Sequence, residues 1–340
     1  MNKYFFFILV GLVSLYLFSC RSGAPAQQIA CLSPPPIYQS FLKSLYQFKK
    51  SISDSGQFDL AIHLIPNKNS HPFFYSAEKI KDSKTDLIFI SALELAPYCP
   101  RLQLLLLPWL FRSLSLADSL FEGPLSNAFL EELGSLGLQG LAWGTLGYKQ
   151  LAFSSPPPKT IEEFSGITFE IPSVRLVTEL FRLLNVNTIV DERRFPTTPT
   201  PPSGHVAILS NLYDYVYYNQ SSRFPYLLIW NCFSEPVIMC IKKAPWQALN
   251  KQQQKYFMTA AQQAMKIQRE EAARDLVDLQ IKLKKRKTFL LDHFQPEEFI
   301  SRSKILYDAY RKKINPSLMD LMMTALSTYQ VNQVRNQGKE

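Results

Sequence analysis

The side chains with catalytic potential are scattered along this chain. No nucleophile elbow, zinc-protease helix, phosphate-binding loop or dinucleotide fingerprint occurs. The four histidines have neither the i, i+4 spacing nor the cysteine neighbours of a metal site, and they are His63, His71, His205 and His293. Paired carboxylates stand near predicted helix ends, where solvated charge is expected, at Glu131-Glu132, Glu162-Glu163 and Glu297-Glu298. The sequence predicts a protein that is not an enzyme and holds no metal or cofactor.

Covalent chemistry is indicated at Cys20. A single positive charge precedes an apolar run from Tyr4 to Phe18, and Leu17-Phe18-Ser19-Cys20 resembles a bacterial lipobox, whose cysteine becomes the lipidated first residue of the mature protein. The run is shorter than the roughly 20 residues of a bilayer span. We therefore interpret residues 1–20 as a lipoprotein signal rather than as an uncleaved anchor helix. Residues 21–28 are predicted to form a tether of about 25 Å when extended. The signal and the lipidated cysteine together predict a protein in the periplasm or cell envelope, lipid-anchored to a membrane.

The remaining cysteines show no metal-ligand spacing. They are Cys31, Cys99, Cys232 and Cys240. An oxidising compartment permits one disulfide, such as Cys232–Cys240, but free buried thiols are an equal alternative.

The net charge of +9 could attract anionic ligands, lipid headgroups or nucleic acid. The basic residues do not form a single stripe, so nucleic acid is not an expected partner. The densest basic cluster ends a predicted helix, and it consists of Lys282, Lys284, Lys285, Arg286 and Lys287. It is either a solvated helix end favoured by the helix dipole or a contact for anionic lipid.

Alternation of apolar runs and helical periods predicts an α/β fold. The predicted strands are 29–33, 58–65, 85–90, 137–143, 148–153, 166–171, 188–190, 205–209, 226–230 and 237–241. The predicted helices are 37–52, 74–81, 116–121, 125–133, 173–184, a long one after Pro245, 297–313 and one after Pro316.

Three local patterns carry further expectations. Gly144 and Gly147 are predicted to form a hairpin turn between two strands, and Leu102 to Leu110 a buried strand or loop. Alternate tyrosines on a strand would share one face and either line a ligand cleft or cover the core, and the tyrosines concerned are Tyr213, Tyr215, Tyr217 and Tyr218. Pro196 to Pro202 is a stiff extended loop.

The region from Leu107 to Pro172 resembles the solute-binding component of TRAP transporters, the DctP-type family. The segments that carry the resemblance are Leu107-Pro-Trp-Leu-Phe111, Glu122-Gly-Pro124, Trp143-Gly-Thr-Leu-Gly-Tyr-Lys149 and Thr160 to Ile171. Weaker matches follow at Ser203 to Ala207, at Trp230-Asn-Cys-Phe and at Ala244 to Leu249. The resemblance implies a two-lobed, periplasmic-binding-protein-like fold of type II, with a long C-terminal helix spanning the lobes and a small ligand in the cleft between them.

The resemblance also implies a division of the chain. Residues 29–143 would form mainly lobe 1, and 144–241 mainly lobe 2 with the crossing strands. Residues 242–330 would supply the long helix and C-terminal helices packing on both lobes, and 331–340 a frayed tail.

The sequence departs from the family at the implied ligand site. The family holds the ligand carboxylate with an arginine, whose planar guanidinium makes two parallel hydrogen bonds. Glu170 stands at that position, and Lys149 stands at a second family arginine. Asn231 matches part of the family's Asn/Asp-His pair, and Ala207-Ile208 replaces an Asp-Gly pair.

These departures leave several interpretations open. Arg175 or another basic group replaces the lost clamp, or the ligand is neutral or cationic with Glu170 as its partner, or the cleft binds no solute. A different alignment would instead leave Glu170 pointing to solvent. The candidate ligand-binding residues are Lys149, Glu170, Arg175 and Asn231.

Two functions follow from the resemblance. The first is a membrane-tethered solute-binding lipoprotein that captures a small molecule, not necessarily a carboxylate, for a TRAP-type permease. The alternative is an envelope lipoprotein that uses the same fold to bind another protein.

Overall fold

The structure, a computed structural model, describes residues 27–55, 60–66, 84–190, 204–285, 289–291 and 296–337. The predicted signal with Cys20, most of the tether, the helix at 74–81 and the loop at 196–202 lie outside these ranges. Within them, no helix combines the length and apolar character needed to cross a membrane.

Nine strands of the described chain form one mixed sheet. They are β1 Gln27–Ser33, β2 Leu60–Pro66, β3 Leu87–Ser91, β4 Leu138–Phe153, β5 Thr168–Ile171, β6 Asn187–Val190, β7 Val206–Ser210, β8 Tyr226–Lys242 and β9 Phe289–Leu291. Their order is β2-β1-β3-β8-β4-β7-β5-β6, and β9 pairs with β8. The antiparallel pair β4 and β8 is long enough, at about 50 Å, to run through both halves of the sheet.

Helices cover both faces of this sheet, which confirms the α/β class. They are α1 Gln39–Asp54, α2 Ala92–Leu95, α3 Leu102–Leu105, α4 Leu114–Phe121, α5 Ser126–Leu130, α6 Arg175–Leu183, α7 Leu212–Tyr217, α8 Lys243–Ala248, α9 Lys251–Lys285, α10 Glu297–Lys313 and α11 Pro316–Gln337. Short 3-10 helices occupy Glu131–Leu136, Glu162–Gly166 and Gln220–Ser222.

The pleat of the strands divides the core in two, because successive side chains point to opposite faces. On β3, Ile88 and Ile90 join the first apolar cluster, whereas Leu87 and Phe89 join the second. We call these the first and second faces of the sheet. Helices α6 and α10 pack on the first face, and α1, α7 and α9 pack on the second.

The predicted hairpin at Gly144 and Gly147 is wrong, because both residues lie inside the continuous strand β4. A Cβ on Gly144 would lie 2.2 Å from Cε of Met265, and one on Gly147 would lie 2.7 Å from Cδ1 of Leu276. Both side chains belong to α9. The glycines therefore let the long helix approach the strand, and Gly147 also adopts a φ of +84°.

The alternate tyrosines do not lie on a strand, since Leu212–Tyr217 is helix α7. Asn211 begins this helix, because its side-chain oxygen accepts a hydrogen bond from the backbone N–H of Asp214 at 2.8 Å. Tyr213 and Tyr215 are buried and Tyr217 is exposed. The segment 102–110 likewise begins as helix α3, followed by turns, and contains no strand.

The cysteines of the described chain are buried free thiols. Cys232 and Cys240 both lie on β8, where eight residues span about 26 Å, and a disulfide requires Cα atoms within about 7 Å. The Cys232–Cys240 alternative is therefore wrong. Burial raises the pKa of Cys99 to about 12 and raises that of Cys232 well above its ordinary value.

The proposed division into lobes remains a prediction. The boundary between residues 143 and 144 falls within β4, so a single sheet passes through both predicted lobes.

Candidate ligand-binding site

Lys149 lies on β4 with only 5% of its surface exposed. Its Nζ is 2.9 Å from Oε2 of Glu235 on β8 and 3.9 Å from Oδ2 of Asp214 on α7. Both carboxylates are completely buried. The cation that the sequence suggested for a ligand therefore already has two carboxylate partners within the chain.

Asn211 connects these two carboxylates. Its Nδ2 donates to Oδ2 of Asp214 at 2.8 Å and to Oε2 of Glu235 at 2.7 Å. Because the same side chain also caps α7, the start of that helix and the two acids are held in one arrangement.

Tyr38 ties this group to a distant part of the chain. It directly precedes α1, and its hydroxyl donates to Oδ1 of Asp214 at 2.6 Å. Its ring lies 5.4 Å from the ring of Tyr213. Segments near residues 38, 149, 214 and 235 thus meet at one point. We call the five side chains the Lys149 cluster, which consists of Tyr38, Lys149, Asn211, Asp214 and Glu235.

The Lys149 cluster carries two carboxylates for one cation. Burial and, to a smaller extent, the charge of Glu235 raise the pKa of Asp214 to about 6, although Lys149 acts to lower it. Burial and the nearby Asp214 also raise the pKa of Tyr38 well above its usual range, so its phenol remains a proton donor. In the described residues no group of His, Cys, Asp and Glu side chains is placed to hold a metal ion.

Asn231 occupies an irregular point beside this cluster. Between the pairs Lys149↔Phe233 and Leu151↔Leu228, the register of β4 and β8 shifts. Gln150 fills the gap: its Oε1 accepts from the backbone N–H of Trp230 at 2.7 Å and of Asn231 at 3.1 Å, and its Nε2 donates to Oδ1 of Asn231 at 2.7 Å. Asn231 is exposed with a φ of +51°, a conformation that Asn tolerates better than most residues.

Glu170 lies half-buried on β5. Its neighbour Phe169 faces the first face of the sheet, so Glu170 faces the second, the same face as Tyr38 and Tyr213. It pairs with Ile208 on β7, the strand between β5 and β4. Glu170 and Lys149 thus share a face of the sheet but stand two strands apart.

Arg175 is placed elsewhere. It is the first residue of α6, its side chain is 68% exposed, and its Nε is 2.6 Å from Oε1 of Glu179. The apolar residues of α6 pack on the first face of the sheet. The structure therefore does not bring Arg175 to the Lys149 cluster.

Four members of the cluster were missed from the sequence, namely Tyr38, Asn211, Asp214 and Glu235. Three of them left a signal. Glu235 is an acid in the mostly apolar segment that forms β8, and Asn211 and Asp214 have the spacing of a helix cap. A buried acid requires a partner, which could have directed attention to Lys149.

A second buried cation, Arg269, lies on α9. It pairs with Asp118 at 2.7 Å and Glu122 at 2.7 Å, and its Nη1 donates to the backbone oxygen of Trp143 at 2.6 Å. Glu122 and Arg269 border an open pocket of about 350 Å³ between α5, β4 and α9.

The family model of DctP, described as bacterial extracellular solute-binding protein, family 7, matches residues 39–190. The C4-dicarboxylate-binding protein DctB of Bacillus subtilis is 22% identical over 178 residues, which cover 51% of this chain and 50% of that protein. A solute-binding protein of Verminephrobacter eiseniae is 24% identical over 61% of this chain and 63% of its own length. The chain therefore spans between half and two thirds of these relatives.

Solved structures share the whole fold. A TRAP periplasmic solute-binding protein of Haemophilus influenzae, with bound L-gulonate, superposes with a TM-score of 0.76 at 18% identity, over 88% of this chain and 99% of that one. The two-lobed fold expected from the sequence is thus confirmed.

Proposed function

We propose that the chain, whose residues 39–190 match the model of the DctP family of bacterial extracellular solute-binding proteins, captures a small solute for a TRAP-type membrane permease. The captured molecule would lie between the two lobes. Closure of the lobes over it would be a hinge motion about the crossing strands β4 and β8.

The observation that carries this proposal is the position of the Lys149 cluster. It lies where the crossing strands β4 and β8 meet the starts of α1 and α7. A buried polar cluster that joins distant segments at such a junction is suited to couple an occupied cleft to the relative position of the lobes. The protein-interaction alternative is not favoured, because the matched relatives and structures are solute-binding proteins.

The four residues chosen from the sequence would have different roles. Lys149 would organise the cluster and not act as an independent clamp, since Glu235 already neutralises it. Glu170 would face the solute from β5, and Asn231 would shape the strand crossing with Gln150. Arg175 would contribute only after a rearrangement of α6.

We further propose that the protein acts outside the cytoplasm, tethered through lipidated Cys20, and that it is not an enzyme. Its proposed partners are permease subunits and the membrane. Intact-mass measurement of the protein from membranes would test the anchor. The expected product begins at Cys20 and carries acyl chains, whereas a Cys20→Ser variant should remain unlipidated.

Calorimetric titration tests solute capture. Suitable probes are L-gulonate, its uncharged analogue sorbitol and the amine glucosamine, each followed by small-angle scattering for lobe closure. Saturable binding of one probe with a compaction of the protein supports the proposal. Failure of these probes and of wider panels of acids, amines and sugars would contradict it.

A further inference from the structure

The last turns of α9 expose apolar side chains on the surface. Val277 is 57% exposed and Ile281, one turn later, is 45% exposed. On the neighbouring strand β9, Phe289 is 57% exposed and stacks on Tyr226 with a centroid distance of 4.7 Å. The opposite side of the helix is anchored, since Leu276, Leu279 and Leu283 are buried in the second core cluster.

Lysines follow Val277 and Ile281 at the C-terminal end of the helix. Lys282, Lys284 and Lys285 are exposed in the last turn of α9. Of the two acids between residues 275 and 285, Asp275 accepts hydrogen bonds from the Tyr213 hydroxyl and the Ser40 backbone, and Asp278 is the exposed one. The surface therefore combines exposed apolar side chains with a basic end.

Charge and shape together specify the partner. A polyanionic surface complements the lysines. The layer beneath its charges must also accept the apolar side chains of Val277, Ile281 and Phe289. The exposed side of α9 is the convex face of one helix, which a fluid bilayer can accommodate by moving lipids aside. Lysines can extend their charged ends to headgroups while their stems cover apolar area, and this combination is typical of interfacial helices.

We infer that this surface, formed by Val277, Ile281, Lys282, Lys284, Lys285 and Phe289, docks on an anionic phospholipid membrane. Docking would fix the orientation of the protein on the bilayer, independently of any lipid attached at Cys20. It would bring the lobe that contains β9 to the headgroup layer.

Flotation of the full chain with vesicles tests this inference. The vesicles contain phosphatidylcholine alone or mixed with phosphatidylglycerol. Each lysine near an anionic surface strengthens binding about fivefold, so Lys284→Glu/Lys285→Glu should weaken partition onto the mixed vesicles by at least tenfold. The matched control Lys251→Glu/Lys255→Glu changes two exposed lysines at the other end of α9 and should partition like the wild type. Binding through the apolar N-terminal run is common to all variants and is measured with phosphatidylcholine alone.

A second variant separates charge from apolar contact. Val277→Ser/Ile281→Ser should weaken partition at unchanged charge, whereas Ile305→Ser/Leu321→Ser, at exposed apolar positions of α10 and α11, should not. Circular dichroism checks that each variant keeps its helix content. Wild-type binding that does not depend on phosphatidylglycerol, or equal partition of the two lysine variants, overturns the inference and assigns this surface to solvent or to a protein partner.

Discussion

The chain buries two cations against pairs of carboxylates, and the two groups differ in their access to water. Lys149 pairs with Glu235 and Asp214, which are 0% and 1% exposed at their side chains, whereas Arg269 pairs with Asp118 and Glu122, which are 33% and 46% exposed. Water can solvate the partners of Arg269 if the cation is lost. The partners of Lys149 have no such alternative, so the Lys149 cluster should respond to mutation as a unit.

The largest effect is expected for Lys149→Met. Removal of the cation leaves two buried carboxylates uncompensated, which should lower the free energy of unfolding by about 3–5 kcal/mol. Urea denaturation measures the change. The double variant Lys149→Met/Glu235→Gln should recover part of the loss, because it also removes one charge. A loss no larger than that of Arg269→Met would contradict the distinction between the two groups.

Arg269→Met should have the second largest effect, about 2–3 kcal/mol, mainly because the buried oxygen of Trp143 loses its charged donor. Asp118 and Glu122 can turn toward solvent. The same urea series measures this variant, with Lys255→Met as an exposed control on α9. An effect above that of Lys149→Met would show that exposure of the partners does not set the cost.

Tyr38→Phe should cost about 1.5 kcal/mol, the lower range for a hydrogen bond to a charged group. The ring still packs near Tyr213, so the change reports the hydroxyl. Tyr46→Phe, at an exposed position of α1, is the matched control. If both variants have the stability of the wild type, the link from α1 to α7 is not energetically significant.

Stability should also depend on pH. Asp214 has a pKa of about 6 in the folded protein, above the value of about 3.9 for an unfolded chain. The folded state therefore binds the proton more tightly, and this group contributes stability at low pH that is lost as pH rises from about 4 through 6. The stability of wild type relative to Asp214→Asn, measured across this range, should fall as pH rises. A difference that is constant with pH would contradict a raised pKa.

The parts of the fold predictable from sequence are those with local causes. The apolar run at 85–90 and the helical stripe after Pro245 correspond to β3 and α9. The predictions from sequence are wrong where tertiary contacts determine the local structure. Gly144 and Gly147 resemble turn residues locally, and only the approach of Met265 and Leu276 explains them inside a strand.

The candidate site was less predictable, because its partners are distant in sequence. The sequence predicts Lys149 as a site residue, but its partners Asp214 and Glu235 lie 65 and 86 positions further along the chain. Their pairing depends on the crossing of β4 and β8 and on the position of α7. The family resemblance aligns Lys149 with a ligand-binding position. The charge balance around Lys149 is visible only in the folded structure, where β4, α7 and β8 lie together.

The buried thiols impose an order of events during biogenesis. In the oxidising compartment proposed for this chain, an unfolded molecule exposes Cys31, Cys99, Cys232 and Cys240 to oxidases, while the folded molecule encloses all four. A thiolate is the reactive form, and burial keeps these groups protonated. A bridge between Cys232 and Cys240 would be incompatible with an extended β8. Folding after export must therefore be faster than oxidation of the thiols. A slowly folding variant would form disulfides that prevent it from reaching the folded structure.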